Sequence, residues 1–120
     1  MEIYYGVRAS GKTMKAILLS AEKQMPIVVS NYHEIEHIKY MAKEMNLKIP
    51  DPIIVEDVRK KVKGNRKGLI VDNLDFLLRK IFDDEVCFAT MEDCNIEKIE
   101  RRGYNEYFWN EYKWNRWYDE

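Results

Sequence analysis

Residues 6–13 read Gly6-Val7-Arg8-Ala9-Ser10-Gly11-Lys12-Thr13, and no other stretch of the chain limits the fold so tightly. The run fits G-x-x-x-x-G-K-[ST] at every required position. It follows a short β-type run, Ile3-Tyr4-Tyr5, and opens a segment of helical periodicity. Strand, glycine turn and helix in that order commit the chain to a β–α start. The glycines let the backbone fold tightly, so that successive N–H groups converge on phosphate oxygens. The helix N-terminus adds the positive end of its dipole. The candidate phosphate-binding set is Gly6, Arg8, Ala9, Ser10, Gly11, Lys12, Thr13 and Met14. Within it Lys12 can reach β- and γ-phosphates, and the Thr13 hydroxyl can hold Mg²⁺. ATP with Mg²⁺ is the ligand these residues imply.

The rest of the chain keeps the alternation. Glu2–Tyr5 reads as a first strand, and Met14, Ile17, Leu18, Ala21 and Met25 mark a helix to about Gln24, stopped by Pro26. Ile27-Val28-Val29 is a continuous apolar run of the kind found in buried parallel strands. Ser30-Asn31 falls at its C-terminal end, where open α/β sheets place ligand groups. Asn31 can cap the next helix with Glu34 as its capping-box partner. That helix carries Ile35, Ile38, Met41, Ala42 and Met45 on one face. Ile53-Ile54-Val55 is a short third strand, Glu56–Lys63 a short helix, and Leu69–Asp72 a further strand ending in an acid. Leu74, Leu77, Leu78, Ile81 and Phe82 then form one helical face, and Val86-Cys87-Phe88-Ala89-Thr90 reads as the last strand. The expected class is α/β, a parallel sheet of about five strands flanked by helices. At 120 residues the chain is one small domain. Residues 1–92 make its nucleotide-binding part, and 93–120 an aromatic C-terminal segment packing on the core or on a partner.

Residues 6–13 resemble the Walker A loop of the P-loop NTPase superfamily, and Leu69–Asp72 looks like its Walker B strand. In that reading Asp72 emerges from a dry strand to hold the metal shell; the plainer role for Asp72 is an N-cap. A further strand between the two motifs is similar to the branch that holds RecA, AAA+ and FtsK-like ATPases. The opening, with Ser30-Asn31 closing the second strand, resembles small phage assembly and packaging ATPases of the Zot type. The resemblance covers about residues 2–90 and implies nucleotide hydrolysis coupled to a phage-type DNA or assembly process. Catalytic candidates are then Lys12, Asp72, Asn73 and Thr90, the last at a strand end facing the γ-phosphate or serving only as a strand-end residue. The branch places Glu directly after the Walker B Asp, and this chain has Asn73 there. Asn can orient water but cannot act as a general base; Asp75, Glu92 or Asp93 could substitute. Two other functions stay open: a nucleotide-binding regulatory or assembly module with little turnover, and, ranked lower, a small-metabolite kinase. The acidic Asp83-Asp84-Glu85 stands where such a kinase carries an Arg-rich lid.

Net charge is −1, so nucleic-acid binding would need a local patch. Arg59, Lys60, Lys61, Lys63, Arg66 and Lys67 supply one, or simply neutralise a helix C-terminus. His33-Glu34-Ile35-Glu36-His37 matches the H-E-x-x-H zinc pattern, but no third histidine exists and Glu34 has a capping use. From Tyr104 to Tyr118 eight aromatics surround any helix drawn through them. They suit a flap on the sheet edge, a subunit or partner interface, or a stacking surface for single-stranded nucleic acid. Arg101 and Arg102 precede them and could act as arginine fingers in a ring. Cys87 and Cys94 lack metal spacing, with Cys87 expected as a buried thiol. With no secretory signal and no apolar run near the length of a membrane span, a reducing cytoplasm is the expected location.

Overall fold

The computed structural model describes residues 1–7, 11–61 and 67–99. In chain order it has β1 (Glu2–Tyr5), α1 (Lys12–Lys23), β2 (Ile27–Val29), α2 (Tyr32–Glu44) and β3 (Ile53–Ile54). A 3₁₀ turn at Val55–Asp57, α3 (Val58–Lys61), β4 (Ile70–Val71), α4 (Leu74–Phe82) and β5 (Asn95–Lys98) follow. No helix among the described residues is long and apolar enough to cross a membrane.

All strand pairings among the described residues are parallel, as the β–α alternation requires. The five strands do not form one sheet, however. β3, β2 and β4 make a three-stranded sheet in that order, and β1 pairs with β5 alone in a second. The expected strand at Val86–Thr90 is absent. Those residues run irregularly on the surface, with Phe88 95% exposed and Cys87 an exposed thiol rather than a buried one. The strand beside β1 is Asn95–Lys98, register Ile3↔Ile96, beyond the residue-92 boundary drawn from the sequence. Its polar composition suits a strand exposed along its whole length.

The core lies on the three-stranded sheet. β2 is buried at every position because it is central and flanked on both edges. Ile27 and Val29 join Met14, Ile17, Ile35, Ile38 and Met41 of the two packed helices, while Val28, alternating to the other face, is 2% exposed. α1 stops where Gln24 turns left-handed at φ 54°, its N–H bonding the Ser20 carbonyl at 2.8 Å. The fully buried Ser20 hydroxyl donates to the Met25 carbonyl at 2.6 Å, fixing the turn into β2. α4 departs from expectation: Leu77 is buried, but Leu74, Ile81 and Phe82 face outward.

Ile17 is fully buried where α1 meets the sheet. Truncating it to alanine removes three carbons from a packed site, which costs about 2–5 kcal/mol. Urea unfolding of Ile17→Ala should show a lower midpoint with an unchanged m-value; a midpoint within error of wild type would misplace the core.

Candidate phosphate and metal site

Three chain segments converge at the C-terminal ends of β2 and β4. Gly11 holds φ 99°, a left-handed turn that costs glycine nothing, and stands as the N-cap of α1. Its carbonyl accepts from Lys15 N–H at 2.9 Å, which starts the helix. The Lys15 ammonium lies 4.8 Å from the centre of the Tyr4 ring, tying α1 to β1. The Lys12 ammonium folds back over the loop and donates to the Gly6 carbonyl at 3.1 Å and the Val7 carbonyl at 2.8 Å. Among the described residues no side chain caps the start of α1, so none of them gives the first-turn amides the usual side-chain acceptor. Met14 can take part only through its amide, since its side chain is buried in the core. Arg8, Ala9 and Ser10 lie outside the described residues.

Asp72 arrives from the far side. β4 runs beside β2 in register Val28↔Val71, and the Asp72 N–H donates to the Val28 carbonyl at 3.2 Å. The carboxylate is thereby pinned at the sheet end, where Thr13 Oγ1 donates to its Oδ2 at 3.0 Å. Asp72 is 7% exposed, and burial pushes its carboxyl above the ordinary carboxylate range. The Thr13 bond opposes that rise, the charge of Glu34 adds to it, and Lys12 and the Asn73 amide oppose it. A hydroxyl and a buried carboxylate 3.0 Å apart are hard oxygen donors, the set Mg²⁺ prefers. Among the described residues no cluster of three or more His, Cys, Asp or Glu could hold a metal. A site here would therefore take its remaining ligands from phosphate and water, as Mg²⁺ sites commonly do.

Asn73 is the N-cap of α4 at φ 59°, ψ 60°, without a side-chain cap bond. This is a left-handed position, which asparagine tolerates far better than glutamate. The backbone thus gives a physical reason for Asn where the resemblance leads one to expect Glu. Thr90 does not join the site; it is exposed in the irregular segment after α4, because the strand that was to carry it does not form. Asp75, Glu92 and Asp93 are likewise exposed.

The sequence missed the part played by Glu34. The capping-box pattern predicts a bond from its side chain to the Asn31 amide. Asn31 Oδ1 does accept from Glu34 N–H at 2.9 Å, but Glu34 Oε2 takes the N–H and Oγ of Ser30, at 3.0 and 3.1 Å. Its carboxylate therefore sits against the end of β2 rather than on the helix rim. Lys80 of α4 closes the same end, bonding the Ser30 carbonyl and pairing with Glu56 at 3.2 Å. A cleft of about 630 Å³ opens between Ser30–Asn31 and the α4 side chains Phe76, Arg79 and Lys80. Its walls do not include Lys12, Thr13 or Asp72, so these three side chains stand outside the cleft.

Arg59, Lys60 and Lys61 are exposed on and around α3, with Lys61 paired to Asp57 at 3.7 Å, and Lys67 is exposed before β4. Lys63 and Arg66 lie outside the described residues, as do Arg101, Arg102 and the aromatics from Tyr104 to Tyr118. His33 and His37 are exposed on α2, and the Glu34 between them is engaged with Ser30. Comparison with family models, curated proteins and solved structures returns no match.

Proposed function

We propose that the chain is a P-loop nucleotide-binding protein that takes ATP with Mg²⁺ and hydrolyses it. The observation that carries this reading is the 3.0 Å bond from Thr13 to Asp72. It joins a glycine-turn helix start to a buried carboxylate at the end of β4, a strand that is itself half-buried to exposed rather than dry, across 59 residues of chain. Two motifs that could each arise by chance in the sequence meet at one place. On this reading the two parallel sheets belong to one minimal P-loop core.

The chain's own groups divide the work. Amides of the loop and first turn of α1 bind phosphate oxygens, and Lys12 exchanges its carbonyl partners for β- and γ-oxygens. Thr13 and Asp72 would hold the metal, which neutralises charge building on the phosphates. The loop residues position the triphosphate in line for attack, the larger part of catalysis in phosphoryl transfer. Coupling to a phage-type DNA or assembly process rests on the likeness of the opening, with the exposed Arg59, Lys60, Lys61 and Lys67 as candidate phosphate-backbone contacts. A second reading, a nucleotide-binding regulatory module without turnover, is favoured by Asn73, whose side chain cannot take a proton.

Thermal unfolding tests the binding claim. A ligand at a hundredfold its Kd stabilises by about 2.7 kcal/mol, which for a domain of this size is a Tm rise on the order of 10 °C. ATP with Mg²⁺ should produce it and adenosine should not. Equal, negligible shifts with both would remove the reading.

A further inference from the structure

Hydrolysis needs a group to align and deprotonate water, and position 73 does not supply one. Glu34 is the acidic side chain best placed to do so. β2 and β4 are adjacent and parallel, and the Asp72–Val28 bond sets Ser30 at the same sheet end as Asp72 and Asn73. The two bonds from Ser30 hold Glu34 Oε2 there, and no described residue bonds its Oε1. Ser30 is buried and Glu34 half-buried, so the carboxylate is fixed by its surroundings rather than swinging in solvent. The Glu34 charge is among the influences that raise the Asp72 carboxyl, in keeping with their place at one end of the sheet. Asp75, Glu92 and Asp93 are all exposed, and none is held by a bond of this kind.

Building on the nucleotide-binding reading above, we propose that Glu34, in the first turn of α2 and bonded to Ser30 at the end of β2, is the carboxylate that orients and deprotonates the water attacking the γ-phosphate, replacing the one absent at position 73. Water gives a proton to Glu34 Oε1 as its oxygen bonds the γ-phosphorus. The bond from that phosphorus to the β–γ bridging oxygen breaks, and its electron pair leaves on ADP. Inorganic phosphate departs, and Glu34 returns its proton to solvent. The residue would serve two ends: Oε2 secures the entry to α2, and Oε1 faces the reaction.

Glu34→Gln in the full chain separates these roles. The amide oxygen can still accept from Ser30, so a purely capping residue predicts unchanged turnover. The proposal predicts kcat lowered about 10²–10⁴-fold, with Mg·ATP affinity within about threefold of wild type and an unchanged unfolding midpoint. Turnover within about threefold of wild type would overturn it. So would a wild-type chain that binds Mg·ATP but never releases phosphate, although nucleotide binding itself would then stand. Failure of the wild type to bind Mg·ATP would remove both readings together. Should the Gln variant unfold, Glu34→Asp decides: it keeps the charge but withdraws the carboxylate by one methylene. A kcat fall of about tenfold or more at equal affinity supports the proposal, and an unchanged kcat overturns it.

Discussion

Lys12→Ala lowers Mg·ATP affinity by about 10²-fold or more, and leaves the fold intact. The Lys12 ammonium is held against two loop carbonyls, at 3.1 and 2.8 Å, so it is ordered over the turn before any ligand arrives. Preordering means that little side-chain entropy is lost when phosphate replaces those carbonyls. Charge-assisted contacts of this kind, partly shielded from water, contribute about 1.5–3 kcal/mol each. Losing two such contacts is worth at least two decades in Kd. Lys12 is half-buried and outside the apolar cluster, so truncation should move stability by less than about 1 kcal/mol. Isothermal titration of wild type and variant measures the affinity term, and urea unfolding the other. An affinity change below threefold would mean that the lysine has no part in binding.

Asp72→Asn should change stability and function in opposite directions. The carboxylate is almost fully buried and, among the described residues, has one side-chain hydrogen-bond partner, the Thr13 hydroxyl. Burial raises its folded-state pKa above the unfolded value, so the folded protein binds that proton more tightly than the unfolded chain does. As pH rises from the unfolded pKa through the folded one, the folded state therefore loses stability, and the loss is complete above it. Asn is close to the same shape, can still accept from Thr13, and carries no charge. Without metal or nucleotide, Asp72→Asn should melt above wild type at pH 7, and the difference should shrink toward pH 4. In turnover the same change removes the charged metal ligand, and phosphate release should fall at least about 10²-fold. A variant that melts below wild type at pH 7 would show that Asp72 is satisfied by its partners, not strained by burial.

These two residues also show what could be read from the chain before folding. Lys12 and Thr13 belong to a motif whose spacing is fixed by the loop itself, so local sequence suffices. The buried β2 run and the helix faces of α1 and α2 were equally legible, because burial on a parallel sheet writes itself as continuous or 3.6-period apolar residues. Asn95–Lys98 carried no such mark: a strand exposed along its length has no apolar periodicity, and only its pairing with β1 makes it a strand. Val86–Thr90 erred the other way. It is apolar enough for a strand, but strand formation depends on a neighbour, and β1 is paired with Asn95–Lys98 instead. Glu34 was readable as a cap because capping is local. That the strand end it holds lies at the same sheet end as Asp72 depends on the β2–β4 register, which the sequence leaves open. Asn73 is the reverse case, a departure from pattern that becomes intelligible only with its left-handed backbone.

The most direct test of the central claim is an amide NMR titration of the full chain with Mg·ATP, repeated with inorganic triphosphate. The account predicts the largest shifts at the Gly6, Gly11, Lys12 and Thr13 amides and at Asp72–Asn73, with triphosphate reproducing the loop subset. Saturating Mg·ATP that leaves those amides unmoved, or that shifts only residues elsewhere, would contradict it.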